Sequence, residues 1–183
     1  ILFIGHLSKH QNPETVFEAA ASLPENIKAE LQLMFVGRIF EGFAGIFKKY
    51  QQRLDIVKKG YMPHNELLAF AQHASMLLRP VARTSYAANA IGAKTSDYLA
   101  LRKPILTLGE KNSISEQILS DTGSGKLFEY NDLEGISAYI KTNFEHWKKN
   151  GAIVLDNESR LGKYTTRYNV EKLVELFDRL IGA

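Results

Sequence analysis

The stretch ILFIGHLSKHQNPETVFEAA, residues 1–20, decides the fold. Ile1–Ile4 is a short apolar run, Gly5 ends it, and a polar run from His6 to Gln11 follows. An apolar run of this length bounded by a glycine reads as a buried strand. Asn12-Pro13-Glu14 then reads as a helix start, with Asn as the cap, Pro at the first helical position and Glu in the first turn. The helix is predicted to run to about Leu23, with Val16, Phe17, Ala19, Ala20 and Leu23 on its buried side. Strand, glycine turn and helix make the opening half of a βαβ unit. The chain enters this strand with no Met and no basic lead of a signal peptide. The sequence is therefore expected to be a piece of a longer protein, cut just before a domain's first strand.

The same phrase recurs downstream. Leu31–Val36 is predicted as a strand closed by Gly37, Ile39–Arg53 as a helix, and Asp55–Lys58 as a strand ended by Gly60. Pro63 and Asn65 open a helix to about His73, and Ser75–Leu78 is a strand that Pro80 stops. Arg83–Ile91 has no period and reads as a loop. GAKTSDYLALRKPIL, residues 92–106, gives a short helix and then the strand Ile105–Leu108. Ser113–Ser120 is a helix with Ser113 and Glu116 as its capping box, Lys126–Phe128 a strand, and Asp132–Trp147 a long helix. Asn157–Gly162 and Val170–Ile181 close the chain as helices. About six strand–helix alternations imply a three-layer α/β/α, Rossmann-like, doubly wound parallel sheet in strand order 3-2-1-4-5-6. Residues 1–183 form a single domain on this reading. Ligands of such sheets sit beyond the carboxyl ends of the strands, where the order reverses. That places the loops after the first and fourth strands, and the start of the helix carrying Lys94 and Asp97, around one crevice.

The chain has 183 residues, 45% hydrophobic and 23% charged, the profile of a globular domain with a core. No apolar run approaches the ~18 residues that a membrane-spanning helix needs. The net charge of +3 is too mild to indicate a nucleic-acid partner and suits a small anionic ligand. The absence of cysteine excludes disulfides and thiolate metal sites and fits a reducing compartment. His64, His73 and His146 form no i, i+4 pair, so no metal site is read.

Three segments converge on the crevice. In Gly5-His6-Leu7-Ser8-Lys9-His10, the glycine permits close approach of a ligand to the backbone, and His6 and Lys9 add positive charge. A plain turn with solvated polar residues reads equally from this segment. Neither a G-x-G-x-x-G fingerprint nor a P-loop is present. Tyr61 and Met62, after Gly60, offer an apolar floor for a flat base, or pack a strand–helix corner. In the third segment, unpaired amides at the helix start suit a phosphate, and Lys94 could set an ammonium beside it. Asp97, about one turn in, can accept hydrogen bonds from two adjacent hydroxyls of a ribose, or simply complement the helix dipole. Arg83, in the loop after the fourth strand, either reaches a diphosphate or is solvated.

Taken in order, residues 1–20, LQLMFVG (31–37), GYMPHNELLAFAQHASMLLRP (60–80), GAKTSDYLALRKPIL (92–106) and SEQILSDTGSGKLFEYNDLEGISAYI (115–140) resemble one family. The chain is similar to the C-terminal, nucleotide-sugar-binding half of a GT-B glycosyltransferase, of the retaining group-1 or family-four type that builds bacterial polysaccharides. The resemblance implies a nucleoside diphosphate sugar as donor, no metal and no other cofactor. It implies that Asp97 binds the ribose, that Tyr61 and Met62 hold the base, and that Lys94, with Lys9 and His6, meets the charge of the departing diphosphate. Gly5, Thr95, Arg83 and Asn89 join the implied donor site. Three positions depart from the family: His6 stands where arginine is frequent, Gln11 where lysine is frequent, and Asn89, eight residues before Asp97, where a second acid is common. The partner implied is an N-terminal acceptor-binding domain, outside this sequence, through which the protein would meet the inner face of a membrane from the cytoplasm. The alternatives are a non-catalytic interaction module of the same fold and a sugar-nucleotide epimerase, whose crevice would want more acids and histidines for proton transfer.

Overall fold

The computed structural model describes residues 1–92 and 94–182. Its strands are β1 (Leu2–Ile4), β2 (Gln32–Val36), β3 (Asp55–Lys59), β4 (Leu77–Pro80), β5 (Ile105–Leu108) and β6 (Gly125–Phe128). They form one six-stranded parallel sheet in the order β3-β2-β1-β4-β5-β6, as the alternation predicts. The helices are α1 (Glu14–Ala21), α2 (Glu25–Lys28), α3 (Ala44–Tyr50), α4 (His64–Ala71), α5 (Thr95–Ala100), α6 (Ile114–Thr122), α7 (Leu133–Asn150), α8 (Glu158–Leu161) and α9 (Thr166–Ile181).

Both faces of the sheet are buried, which is why its strands read as continuous apolar runs. Successive side chains still alternate between two cores. Phe3, Phe35, Leu78, Leu106 and Phe128 face α1, α3 and α7. Leu2, Ile4, Leu77, Ile105 and Leu127 face Ala71 of α4, Tyr98 and Leu99 of α5, and Ile118 and Leu119 of α6. On the first side Phe17 meets Phe35 and Phe47 edge-on, with centroids 5.6 and 5.1 Å apart.

Several boundaries differ from the sequence reading, among them that of β4, which starts at Leu77 and includes Pro80, paired in register with Leu108, rather than being stopped by it. The predicted helix from Ile39 begins only at Ala44, after a single 3-10 turn at Glu41–Phe43. The cause is a bridge between Leu7 and Ile39, in which Leu7 N–H donates to Arg38 O at 2.8 Å and Phe40 N–H to Leu7 O at 2.9 Å. This carries the β1–β2 pairing past the glycines. The first helix starts at Glu14, and Asn12 acts before it, its Oδ1 accepting from Glu14 N–H at 2.9 Å. The last helix starts at Thr166, four residues early, because the Thr165 hydroxyl accepts from Tyr168 N–H and caps it. The short turn α2 carried no apolar period to reveal it.

The sheet opens where its order reverses. Among the described residues β1 and β4 share a single registered pair, Leu2 with Leu77. Beyond it the Tyr98 hydroxyl from α5 enters between the strands. It accepts from Ile4 N–H at 3.2 Å and donates to Leu78 O at 2.8 Å, which satisfies two buried backbone groups that the diverging strands leave apart. Burial pushes the Tyr98 phenol well above its ordinary value.

Candidate functional site

Lys94 lies directly before α5, and its side chain runs across Gly5 at the end of β1. Gly5 has φ +100°, and a Cβ built on it would stand 2.6 Å from the Lys94 Nζ. That ammonium donates to the His6 carbonyl at 3.2 Å and sits 4.9 Å from the centre of the Phe3 ring. A bare glycine is therefore what allows the cation to rest on the turn. Gly37 backs the turn from the other side. At φ +120°, a Cβ on Gly37 would stand 2.9 Å from the Gly5 carbonyl carbon.

A second cation stands beneath. Leu77 and Arg79 alternate with Leu78 along β4, so Arg79 leaves the sheet on the face of α5. Its guanidinium is half-buried and donates to Thr95 Oγ1 at 3.0 Å. Burial holds the Arg79 pKa below its ordinary value. Burial first, and then the Arg79 charge, lower the pKa of Lys94. Among the described residues neither cation has a carboxylate within ion-pair distance.

Two hollows flank this pair. One, of about 250 Å³, is lined by Phe3, Gln11, Arg79, Thr84, Tyr86 and Lys94. The other, of about 280 Å³, is lined by Gly5, His6, Gly37, Arg38, Tyr61 and Met62. Tyr61 is 82% exposed, and Met62 is half-buried against the α4 core. Asp97 lies toward the start of α4, with Oδ1 3.7 Å from His64 Nε2. A larger apolar hollow, about 330 Å³, lies at the opposite, amino end of the strands among Met34, Phe70, Met76, Phe144 and Trp147. No pair of cations converges on it, so the chemistry points to the carboxyl end.

The fold thus brings Gly5, His6, Lys94 and Thr95 together, with Tyr61 and Met62 on one flank. Asp97 lies one turn further along α5, and Lys9, Arg83 and Asn89 are placed elsewhere. Lys9 is exposed on the first loop. The Arg83 guanidinium stacks on Tyr130, 4.8 Å from the ring centre, in a polar hollow it shares with Glu110 and Glu129. Asn89 is exposed and lines a shallow depression with Ser113 and Glu116 at the start of α6. Ala93, inside the quoted block, lies outside the described residues. The helix α5 is only six residues long, so the charge of this site is carried by side chains rather than by a helix dipole.

The structural roles of two residues escaped the sequence reading. Gln11 is a strut: its Oε1 accepts from the amide and hydroxyl of Ser8, each at 3.0 Å, and its Nε2 donates to Pro80 O at 2.7 Å. It ties the first loop to the end of β4, and nothing in a lone glutamine announces that. Arg79 did carry a signal, since a cation in phase with Leu77 inside a buried strand needs a partner.

The comparisons with known proteins bear on this arrangement. Similar solved structures include Anabaena HepE, determined in complex with UDP (TM-score 0.69, 13% identity over 97% of this chain and 48% of that one). Sucrose-phosphate synthase from Thermosynechococcus elongatus aligns at TM-score 0.71 and 16% identity, over 99% of this chain and 45% of that one. The C-terminal domain of a group 1 glycosyl transferase, LpcC of Francisella tularensis, aligns at 0.67 and 14%, over 90% of this chain and 85% of that one. These likenesses show a shared fold, and the chain spans about half the length of the first two. No curated protein matches by sequence. The family profile described as glycosyl transferases group 1 matches residues 1–154. With that match over most of its length, on a sheet of this order, the chain belongs to the group 1 glycosyl transferases.

Proposed function

We propose that this chain is the donor-binding domain of a glycosyltransferase, moving a hexose from a nucleoside diphosphate sugar to an acceptor with retention at the anomeric carbon. The observation that carries the reading is the Lys94 ammonium laid over Gly5 at the carboxyl end of β1, without a carboxylate partner among the described residues. Family membership and the UDP complex of Anabaena HepE support it.

On this reading the base lies in the hollow floored by Tyr61 and Met62, and the ribose hydroxyls reach the Asp97 carboxylate. The diphosphate passes Gly5, where the missing Cβ lets it come against the turn. As the bond from the anomeric carbon to the diphosphate oxygen breaks, negative charge grows on that oxygen. Lys94 is held in place for it by the His6 carbonyl and the Phe3 ring, so little reorganisation is needed when the charge develops. His6 and Lys9 add to the positive field from the first loop, and the chemistry assigns no step to a metal. Acceptor and any proton transfer to it belong to an N-terminal domain across the cleft, and contact with a membrane surface would come through that domain. Among the described residues no helix is long and apolar enough to cross a membrane.

Calorimetry with UDP, GDP and ADP tests the reading. One of the three is expected to bind, and Lys94→Met to weaken it by about tenfold or more, the effect of losing a charge-assisted hydrogen bond. The isolated domain should transfer no sugar. Silence across the three nucleotides would leave a non-catalytic module of this fold.

A further inference from the structure

We propose that Arg79 is a second diphosphate-binding cation of this site, gripping phosphate oxygens from the hollow beneath the 81–92 loop while Lys94 holds them from above Gly5. The inference rests on the nucleotide-sugar reading and names a residue that reading does not contain.

A guanidinium has five N–H donors and stays charged in proteins. Placing it at the end of a strand between two cores costs free energy unless an anion completes it. Arg79 donates to Thr95 Oγ1, a neutral group, which orients the side chain without balancing its charge. It also faces Lys94 closely enough to lower that lysine's pKa, so two like charges stand side by side at this hollow. Among the described residues the hollow has no acidic residue in its lining. It does have Thr84, whose buried Oγ1 has no hydrogen-bond partner among the described residues. Two cations at one hollow match a doubly charged group with several acceptor oxygens, as a diphosphate is.

The other cations nearby do not line this hollow, Arg38 lining the one on the other flank. Arg83 is stacked on Tyr130, and His6 and Lys9 are exposed. Gln11 has both ends of its amide engaged. Arg79 is fixed from two sides: its backbone pairs in register with Thr107 of β5, and its guanidinium is held by Thr95.

The test measures binding of inorganic pyrophosphate, UDP, GDP and ADP to the full 183-residue chain and to three variants, Arg79→Met, Arg79→Lys and Thr95→Val. Arg79→Met is expected to weaken pyrophosphate about 10- to 100-fold. Arg79→Lys keeps the charge but loses the fork, and should fall between. Thr95→Val leaves the arginine present but unanchored and should weaken pyrophosphate several-fold. Binding to the wild type should decline as pH rises through the lowered Lys94 pKa, and in Arg79→Met that midpoint should move upward because the repelling charge is gone. Should Arg79→Met fail to fold, the lysine and valine variants carry the test.

Pyrophosphate binding that ignores all three substitutions overturns the inference, and nucleotide binding with the same indifference leaves only the donor reading standing. Pyrophosphate that depends on Arg79 while no nucleotide competes keeps the seat and removes the nucleotide. A wild-type chain that binds neither overturns both.

Discussion

Lys94 is the residue on which most of the chemistry converges, and its ionisation gives a prediction of its own. Burial, and next the Arg79 charge, hold its folded pKa below the ordinary lysine value of 10.5. The unfolded chain therefore binds the proton more tightly than the folded one. The penalty is fully present below the folded pKa, and stability rises as pH climbs from there toward 10.5. Lys94→Met removes this component. Urea denaturation at a series of alkaline pH values should show the wild type gaining on the variant as pH increases. A constant difference would mean that the ammonium is solvated as freely in the fold as out of it. That a cation stood at position 94 was legible in the sequence. Its resting place on Gly5 was not, because it is held by the His6–Lys94 bond, which joins residues 88 positions apart.

At the scale of elements, the decisive joint is α5 with β1 and β4. Tyr98→Phe deletes one oxygen and leaves Ile4 N–H and Leu78 O without their buried partner. The expected cost is about 1–3 kcal/mol of stability with little change in pyrophosphate or nucleotide affinity, measured by denaturant titration and calorimetry side by side. The strands and their order were readable, since runs such as Ile1–Ile4 and Ile105–Leu108 must be buried on both faces and each is followed by a helical period. Boundaries were less so wherever a distant strand decided them. Ile39 has the pattern of a helix start, yet it pairs with Leu7, and no local preference records a partner in another loop. The Ser113 cap was local and came out as read, with its hydroxyl accepting from Glu116 N–H; the Glu116 carboxylate reaches one residue further back, to Asn112 N–H at 2.6 Å.

Across the whole molecule, burial is uneven. The sheet and its flanking helices hold both cores, whereas α9 has no buried residue among those described and leaves Val170, Leu173, Val174, Phe177, Leu180 and Ile181 exposed. The family match also stops before it, at residue 154. Deleting Thr166–Ile181 should therefore change the urea midpoint of the remaining chain by little, within about 0.5 kcal/mol, the range for surface changes away from packed features. A large loss would show that the helix stabilises the sheet through contacts its exposure does not reveal. The sequence made α9 amphipathic, and amphipathicity alone cannot distinguish a stripe laid on its own core from one that is not. Tyr98 carries a last consequence. Its phenol is the bolt at the seam between the β3-β2-β1 and β4-β5-β6 halves of the sheet, and the short helix that bears it also bears Thr95 and follows directly on Lys94. Prising the halves apart would withdraw that bolt and drag the charge-bearing segment with it, so full opening of the seam would also dismantle the cation seat.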